Sequence, residues 1–227
     1  MLQLTQPQPA SWQAYAPAPA APRFMPAHRG DVCHDALVAL GHRQLVGPGG
    51  RCEIHRRDPQ GHGHVFSQPE LALYGLIPSW AYDARCATQN CIAPMGSVAN
   101  KPAYRAALRK AQFCWTTASF FVGSVWREGR EQIVHVERAD HEPLYLAGLW
   151  SEWQVDHGQP LLSFSLFTRD HDEALKSQSL RIGHGLAQCY ALLEPSQLMD
   201  WLSQSGHSAF EFLLSNPIPP VELHHHS

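Results

Sequence analysis

The stretch L-Y-G-L-I-P-S-W-A-Y-D, Leu73 to Asp83, decides how this chain is read. It opens as the end of an apolar strand, E-L-A-L-Y-G-L-I, and turns at Pro78. Proline ends a strand because it lacks the N–H that a ladder requires. Trp80 and Asp83 follow directly, a more specific ending than a generic loop needs.

Outward from this stretch the chain reads mostly as strands. R-C-E-I-H-R-R precedes it, separated by the turn D-P-Q-G-H-G-H. F-C-W-T-T-A-S-F-F-V-G-S-V-W, E-Q-I-V-H-V-E-R, L-Y-L-A-G-L-W-S-E-W, L-L-S-F-S-L-F-T-R-D and Q-C-Y-A-L-L follow it. β-branched and aromatic residues at strand length carry that reading. N-K-P-A-Y-R-A-A-L-R-K-A-Q is the clearest helix, with Pro102 suited to a first turn and Arg105, Arg109 and Lys110 as a basic face. E-P-S-Q-L-M-D-W-L-S-Q and S-A-F-E-F-L-L-S predict two further helices, and C-H-D-A-L-V-A-L a short helical pattern within residues 31–46. Strands in the middle with helices before and after predict an α+β fold around a mixed or barrel-like sheet. Residues 1–22, rich in Pro, Ala and Gln, read as an extended tail, and residues 23–227 as a single domain.

Composition narrows the function classes. The chain has 227 residues, 44% hydrophobic and 16% charged, with a formal net charge of −3. That balance argues against broad electrostatic binding of nucleic acid but leaves room for a local basic groove. Six cysteines, none in a C-x-x-C pair, fit reduced thiols in a cytoplasmic protein. No apolar run reaches membrane-spanning length, and no signal peptide is evident, so no membrane association is expected. Three of the 15 histidines close the chain in L-H-H-H-S and receive no functional weight.

Four blocks read together resemble the SOS response-associated peptidase (SRAP) family. Y-G-L-I-P-S-W-A-Y-D is similar to its W-G-L-I-P-S-W-A-x-D block. A-N-K-P-A-Y-R-A-A-L-R-K-A-Q-F-C resembles its A-E-K-P-A-F-R block and the cysteine that follows. L-A-G-L-W-S-E-W resembles its F-A-G-L-W-E-x-W strand, and L-L-E-P-S-Q-L-M-D-W-L its ending V-I-L-P-P-E-Q-L-x-x-W-L. The blocks occur in the family's order between Glu70 and Leu202. The resemblance implies an SRAP-like α+β fold, a mixed, barrel-like sheet surrounded by helices. It also implies recognition of abasic sites in single-stranded DNA during the DNA damage (SOS) response. There an N-terminal Cys forms a thiazolidine with the sugar aldehyde and removes a leader peptide, supported by an Asn, a Glu and a His. No cofactor is implied.

The reactive positions of the family are substituted here. Leu2 stands where the nucleophilic Cys is expected, and no Cys-Gly-Arg occurs. Cys33 would need cleavage after Val32 to gain an α-amine. Counting back from Lys101, the family's N-A-R-A-E-T falls on I-A-P-M-G-S, so Asn becomes Ile92, Arg becomes Pro94 and Glu becomes Gly96. Asn90, two residues away, substitutes only if the backbone slips. The supporting Glu after Cys114 falls on Gly123, which cannot act as acid or base. The His falls on Leu186, and a two-residue shift recovers His184, the remaining catalytic candidate.

The expected DNA-binding residues are Trp80, matching the family's DNA-facing Trp, with Arg85, Arg105, Arg109 and Lys110 as phosphate contacts. The plainer alternative places Trp80 in the core and the cations on a solvated helix face. His62 and His64 in G-H-G-H, with His55 and Cys52, are a metal candidate, but a turn with exposed histidines is the simpler reading and no metal is expected. Asp170, His171 and Asp172 form an acid-base candidate, with helix capping as the plainer role. The expected function is thus a diverged SRAP-like protein that binds single-stranded DNA and has lost catalysis. Two alternatives stand beside it: a phage-related or accessory protein-interaction module, and an unrelated hydrolase using His184.

Overall fold

A computed structural model describes residues 38–40, 44–57, 69–154, 158–170, 180–182, 188–206 and 208–225. Along the chain come β1 (Val38–Leu40), β2 (Gln44–Val46), β3 (Arg51–Arg56), β4 (Glu70–Tyr74), β5 (Ile92–Pro94) and helix α1 (Pro102–Arg109). Next are β6 (Phe113–Ala118), β7 (Phe120–Arg127), β8 (Arg130–Arg138), β9 (Leu144–Trp153) and β10 (Leu161–Asp170). The last are β11 (Gln188–Tyr190), β12 (Leu192–Leu193), α2 (Leu198–Leu202), α3 (Ser208–Ser215) and β13 (Val221–His225).

Five strands close into a ring. β10 pairs in parallel with β4 (Phe164 opposite Tyr74), β4 with β3, β3 with β6, β6 with β9, and β9 returns to β10 (Phe164 opposite Trp150). β10 is buried on both faces from Leu162 to Arg169, so its alternation of Leu162, Phe164 and Leu166 with Ser163 and Ser165 does not mark a solvated face; Ser163 Oγ is instead tied to the Ile77 N–H and the Ser151 carbonyl. β5 extends the parallel ladder along β10, and β11 and β12 add to β10 and β9. A second sheet, ordered β13-β8-β7-β1-β2, lies outside this ring. The α+β, barrel-like architecture expected from the sequence is therefore present.

The core has two main parts. One holds Ile54, Tyr74, Phe121, Val134, Val136, Phe164, Leu166 and Tyr190 and spans ring and second sheet. The other packs Tyr104, Phe113, Phe167, Trp201 and Leu213 between the ring and the helices. Arg56 is buried and fully engaged: Nε and Nη2 donate to the two Glu70 oxygens and Nη1 to Glu152, each at 2.8 Å. Its guanidinium lies 4.2 Å from the Trp150 ring centroid. A buried charge is tolerated only when so satisfied.

Two local expectations are corrected. The helical pattern in C-H-D-A-L-V-A-L does not hold for Val38–Leu40, a strand paired with β2 and with Phe120–Phe121 of β7. So short an apolar run has no period of its own, and tertiary pairing decides its state. The apolar run before Pro78 ends as a strand at Tyr74, not at the proline. Gly75 has a φ of +122°, and a Cβ there would sit 2.2 Å from the Ala87 carbonyl oxygen. Only glycine fits a turn pressed that closely onto the 3₁₀ helix Ala84–Gln89. β13 and β5 were absent from the sequence reading.

Candidate nucleic-acid interface

Leu73–Asp83 divides into an anchor and a display. Leu76 and Ile77 are completely buried. Gly75 N–H donates to the Phe164 carbonyl at 2.8 Å, and Ile77 N–H to Ser163 Oγ at 2.9 Å. Leu76 and Asn90 exchange two bonds, Leu76 N–H to the Asn90 carbonyl at 3.0 Å and Asn90 Nδ2 to the Leu76 carbonyl at 3.1 Å. Past Pro78 a turn closes with Ala81 N–H on the Pro78 carbonyl at 2.9 Å. Trp153 Nε1 then donates to the Ala81 carbonyl at 2.8 Å. Held this way, Trp80 stays 65% exposed and Tyr82 99% exposed. The core alternative for Trp80 is not what the structure has.

A cleft of about 390 Å³ runs beside Trp80, lined also by Tyr82, Asp83, Cys86, Asn90 and the first residues of α1, Pro102 and Ala103. Helix α1 buries Tyr104, Ala107 and Leu108. Arg105 and Arg109 follow Pro102 at helical spacing, and Lys110 follows Ala103, so the exposed cations lead away from the cleft along one side of the helix. Five of the 17 Lys and Arg but one of the 20 Asp and Glu fall between Ser79 and Gln112, making this stretch net +4 in a chain of net −3. The one acid, Asp83, is neutralised locally. Arg85 donates to it from its backbone N–H and from Nε, both at 2.9 Å, and holds its carboxyl below the ordinary carboxylate range. Arg85 remains largely exposed. Burial, with the Asp83 charge, pushes the Cys86 thiol up, so it is a poor nucleophile at neutral pH.

Among the described residues, Ile92, Pro94, Gly96 and Gly123, the positions that counting from Lys101 and Cys114 assigns to the family's reactive side chains, are not part of this cleft's lining and carry no acid, base or amide. Ile92 packs against the first core cluster. Within that cluster Tyr74 and Tyr190 share a hydroxyl–hydroxyl bond of 3.1 Å. At Gly123 a Cβ would come within 2.8 Å of Leu180 Cδ1 and 3.0 Å of the Arg181 carbonyl oxygen. Segment 180–182 reaches that strand through Ser124, which exchanges backbone bonds with Arg181 at 3.0 and 2.7 Å. Gly96 differs, being exposed with nothing within 4 Å of its Cβ position. It lines a second cleft of about 390 Å³ with Pro94, Arg169, Asp170 and Phe210. Asp170 is the last residue of β10.

His184, Cys33, His62, His64, His171 and Asp172 lie outside the described residues. Among the described residues no group of three or more His, Cys, Asp or Glu side chains could hold a metal ion. No helix there is long and apolar enough to cross a membrane. Tyr82, Lys101 and Asn90 were not assigned to the interface from sequence. The charge tally of 79–112 would have found Lys101, whereas Tyr82 and Asn90 carry no signal apart from their fold.

Comparison with known proteins follows the geometry. A family model described as SOS response associated peptidase (SRAP) matches residues 39–227. No curated protein matches the chain. Among solved structures, a Bordetella bronchiseptica protein superposes with a TM-score of 0.68 at 21% identity, over 81% of this chain and 87% of its own. A Bacteroides thetaiotaomicron protein gives 0.66 at 18% identity, over 83% and 79%. A phage-related protein from B. bronchiseptica gives 0.55 at 16%, over 81% of each chain. At these identities the likeness is one of fold.

Proposed function

Since the chain belongs to the SOS response-associated peptidase family, we propose that it binds single-stranded DNA along the Trp80 cleft and does not run the family's covalent chemistry. One observation carries the binding reading: an exposed indole, held by a pinned turn, at the head of a helix whose exposed side is basic. Aromatic platforms stack unpaired bases whatever their sequence, and a basic track neutralises the backbone. The loss of catalysis is inferred from Ile92, Gly96 and Gly123. A thiazolidine needs an amine and a thiol on one residue, then groups that move protons, and these three side chains move none.

The test is binding of a fluorescent single-stranded oligonucleotide at several salt concentrations. Arg85 can touch a phosphate, but its charge is balanced by Asp83; with about three phosphates neutralised by Arg105, Arg109 and Lys110, the logarithm of the binding constant should fall with that of salt at a slope of about −2. Salt-insensitive binding, or none, would remove this reading. In parallel, an oligonucleotide carrying an abasic site should leave no heat-stable adduct on a denaturing gel.

A further inference from the structure

We propose that the cleft beside Trp80 selects an unpaired base bearing an exocyclic amine, with Trp80 and Tyr82 as stacking faces and the Asn90 side-chain oxygen as the acceptor that reads the amine. This rests on the single-strand-binding reading above and adds a preference to it.

The orientation of Asn90 is the central point. A backbone carbonyl can only accept, so the amide nitrogen must be the end that faces Leu76, where Nδ2 donates at 3.1 Å. The main chain of Asn90 is held at the same place, its carbonyl accepting from Leu76 N–H and its own N–H donating to the Ala87 carbonyl at 2.9 Å. Oδ1 is therefore the end of the side chain left for a ligand, and no described protein group donates to it. Of the cleft's other side-chain acceptors, the Tyr82 hydroxyl sits on an almost fully exposed side chain and the Asp83 carboxylate is engaged by Arg85. Both Asp83 oxygens take hydrogen bonds from Arg85.

The bases differ at this test. Adenine, cytosine and guanine each carry an amine that donates to such an oxygen. Thymine and uracil can donate only from the single N–H between their two carbonyls, so that bond brings a base oxygen close to the protein oxygen on either side and is the weaker one. The cleft volume of about 390 Å³ holds a base with part of its sugar and leaves Tyr82 free to close over it. Tyr82, almost wholly exposed, loses no packing when it does so.

Cytosine and uracil are the informative pair, because they have nearly the same size and stacking face and differ at the amine. Binding of a 12-nucleotide deoxycytidine strand and a 12-nucleotide deoxyuridine strand would be compared at pH 7.5 by fluorescence anisotropy. The deoxycytidine strand should bind about 3- to 10-fold tighter, the worth of one net hydrogen bond. Asn90→Ala should bring the ratio to about 1, and Tyr82→Ala should weaken both strands without changing it. The unmodified protein settles the matter even if the Asn90 variant folds poorly. Equal or reversed affinities with the salt dependence intact overturn the base preference and leave strand binding standing. Loss of salt-sensitive binding to both strands overturns the two together.

Discussion

Trp153 Nε1 donates to the Ala81 carbonyl across 2.8 Å, joining the end of β9 to the residue that follows Trp80. Two sequence blocks far apart in the chain thereby meet at one bond, and the display of the exposed indole depends on it. Trp153→Phe keeps most of the ring and removes the donor. Expected are a loss of about 1 kcal/mol in urea unfolding and weaker DNA binding through a looser turn. Unchanged affinity at that stability loss would mean that the turn is held without this bond.

Trp80→Ala tests the platform itself. The side chain is mostly solvated, so thermal stability should change little. Affinity for single strands should drop by about 1–3 kcal/mol, the usual worth of a base–aromatic stack. A large fall in melting temperature with unchanged affinity would return Trp80 to a packing role.

The basic side of α1 should act through salt. Arg109→Ala and Lys110→Ala each remove one exposed cation at the far end of the helix from the cleft. Each should lower the magnitude of the salt slope by about 0.7, the single-strand value per phosphate. A double variant with an unaltered slope would show that the strand does not follow the helix.

Gly123→Glu tests the proposed loss of catalysis by placing an acid where counting from Cys114 puts the family's Glu. Its first atom would enter the contact distance of Leu180 and of the Arg181 backbone. Overpacking costs about 1–3 kcal/mol, and a buried carboxylate adds to that. Chemical denaturation should report a clearly destabilised protein, with no gain of abasic-site adduct on a gel.

Acid should act at the opposite end of β8. The Arg138 guanidinium holds the Asp140 carboxyl at about 2, down from 3.8, through hydrogen bonds from Nε at 2.9 Å and Nη2 at 2.7 Å. A carboxyl lowered on folding stabilises the native state above its unfolded value, and that contribution disappears as the pH falls from 3.8 through about 2. Asp140→Asn should therefore flatten the stability loss in that window. An identical acid limb in both proteins would assign it to other carboxylates.

The four sequence blocks were legible because they bind one another. Trp153 of the third block donates to the Ala81 carbonyl of the first at 2.8 Å, and Trp201 of the last donates to the Cys114 carbonyl of the second at 2.8 Å. A large indole with one donor suits such a seat, buried or half-buried against a carbonyl, so the residue types carry the fold's constraint within one chain. Val38–Leu40 falls in a helical pattern and Ile92–Pro94 in none, since three residues become a strand only through the neighbours that pair with them. β13 was hidden in a histidine run whose composition says little about pairing. At the interface, Trp80 and the basic residues could be named but not their exposure. The orientation of the Asn90 amide depends wholly on where Leu76 lies, which no local sequence reveals.

The close seat of Gly123 also limits what its strand can carry. While segment 180–182 lies against that glycine, any side chain added there meets Leu180 and the Arg181 backbone. Ser124, the next residue, ties the same segment to β7 by two backbone bonds. Position 123 thus works as a latch seat: the strand keeps its grip on segment 180–182 only while the residue facing it stays bare.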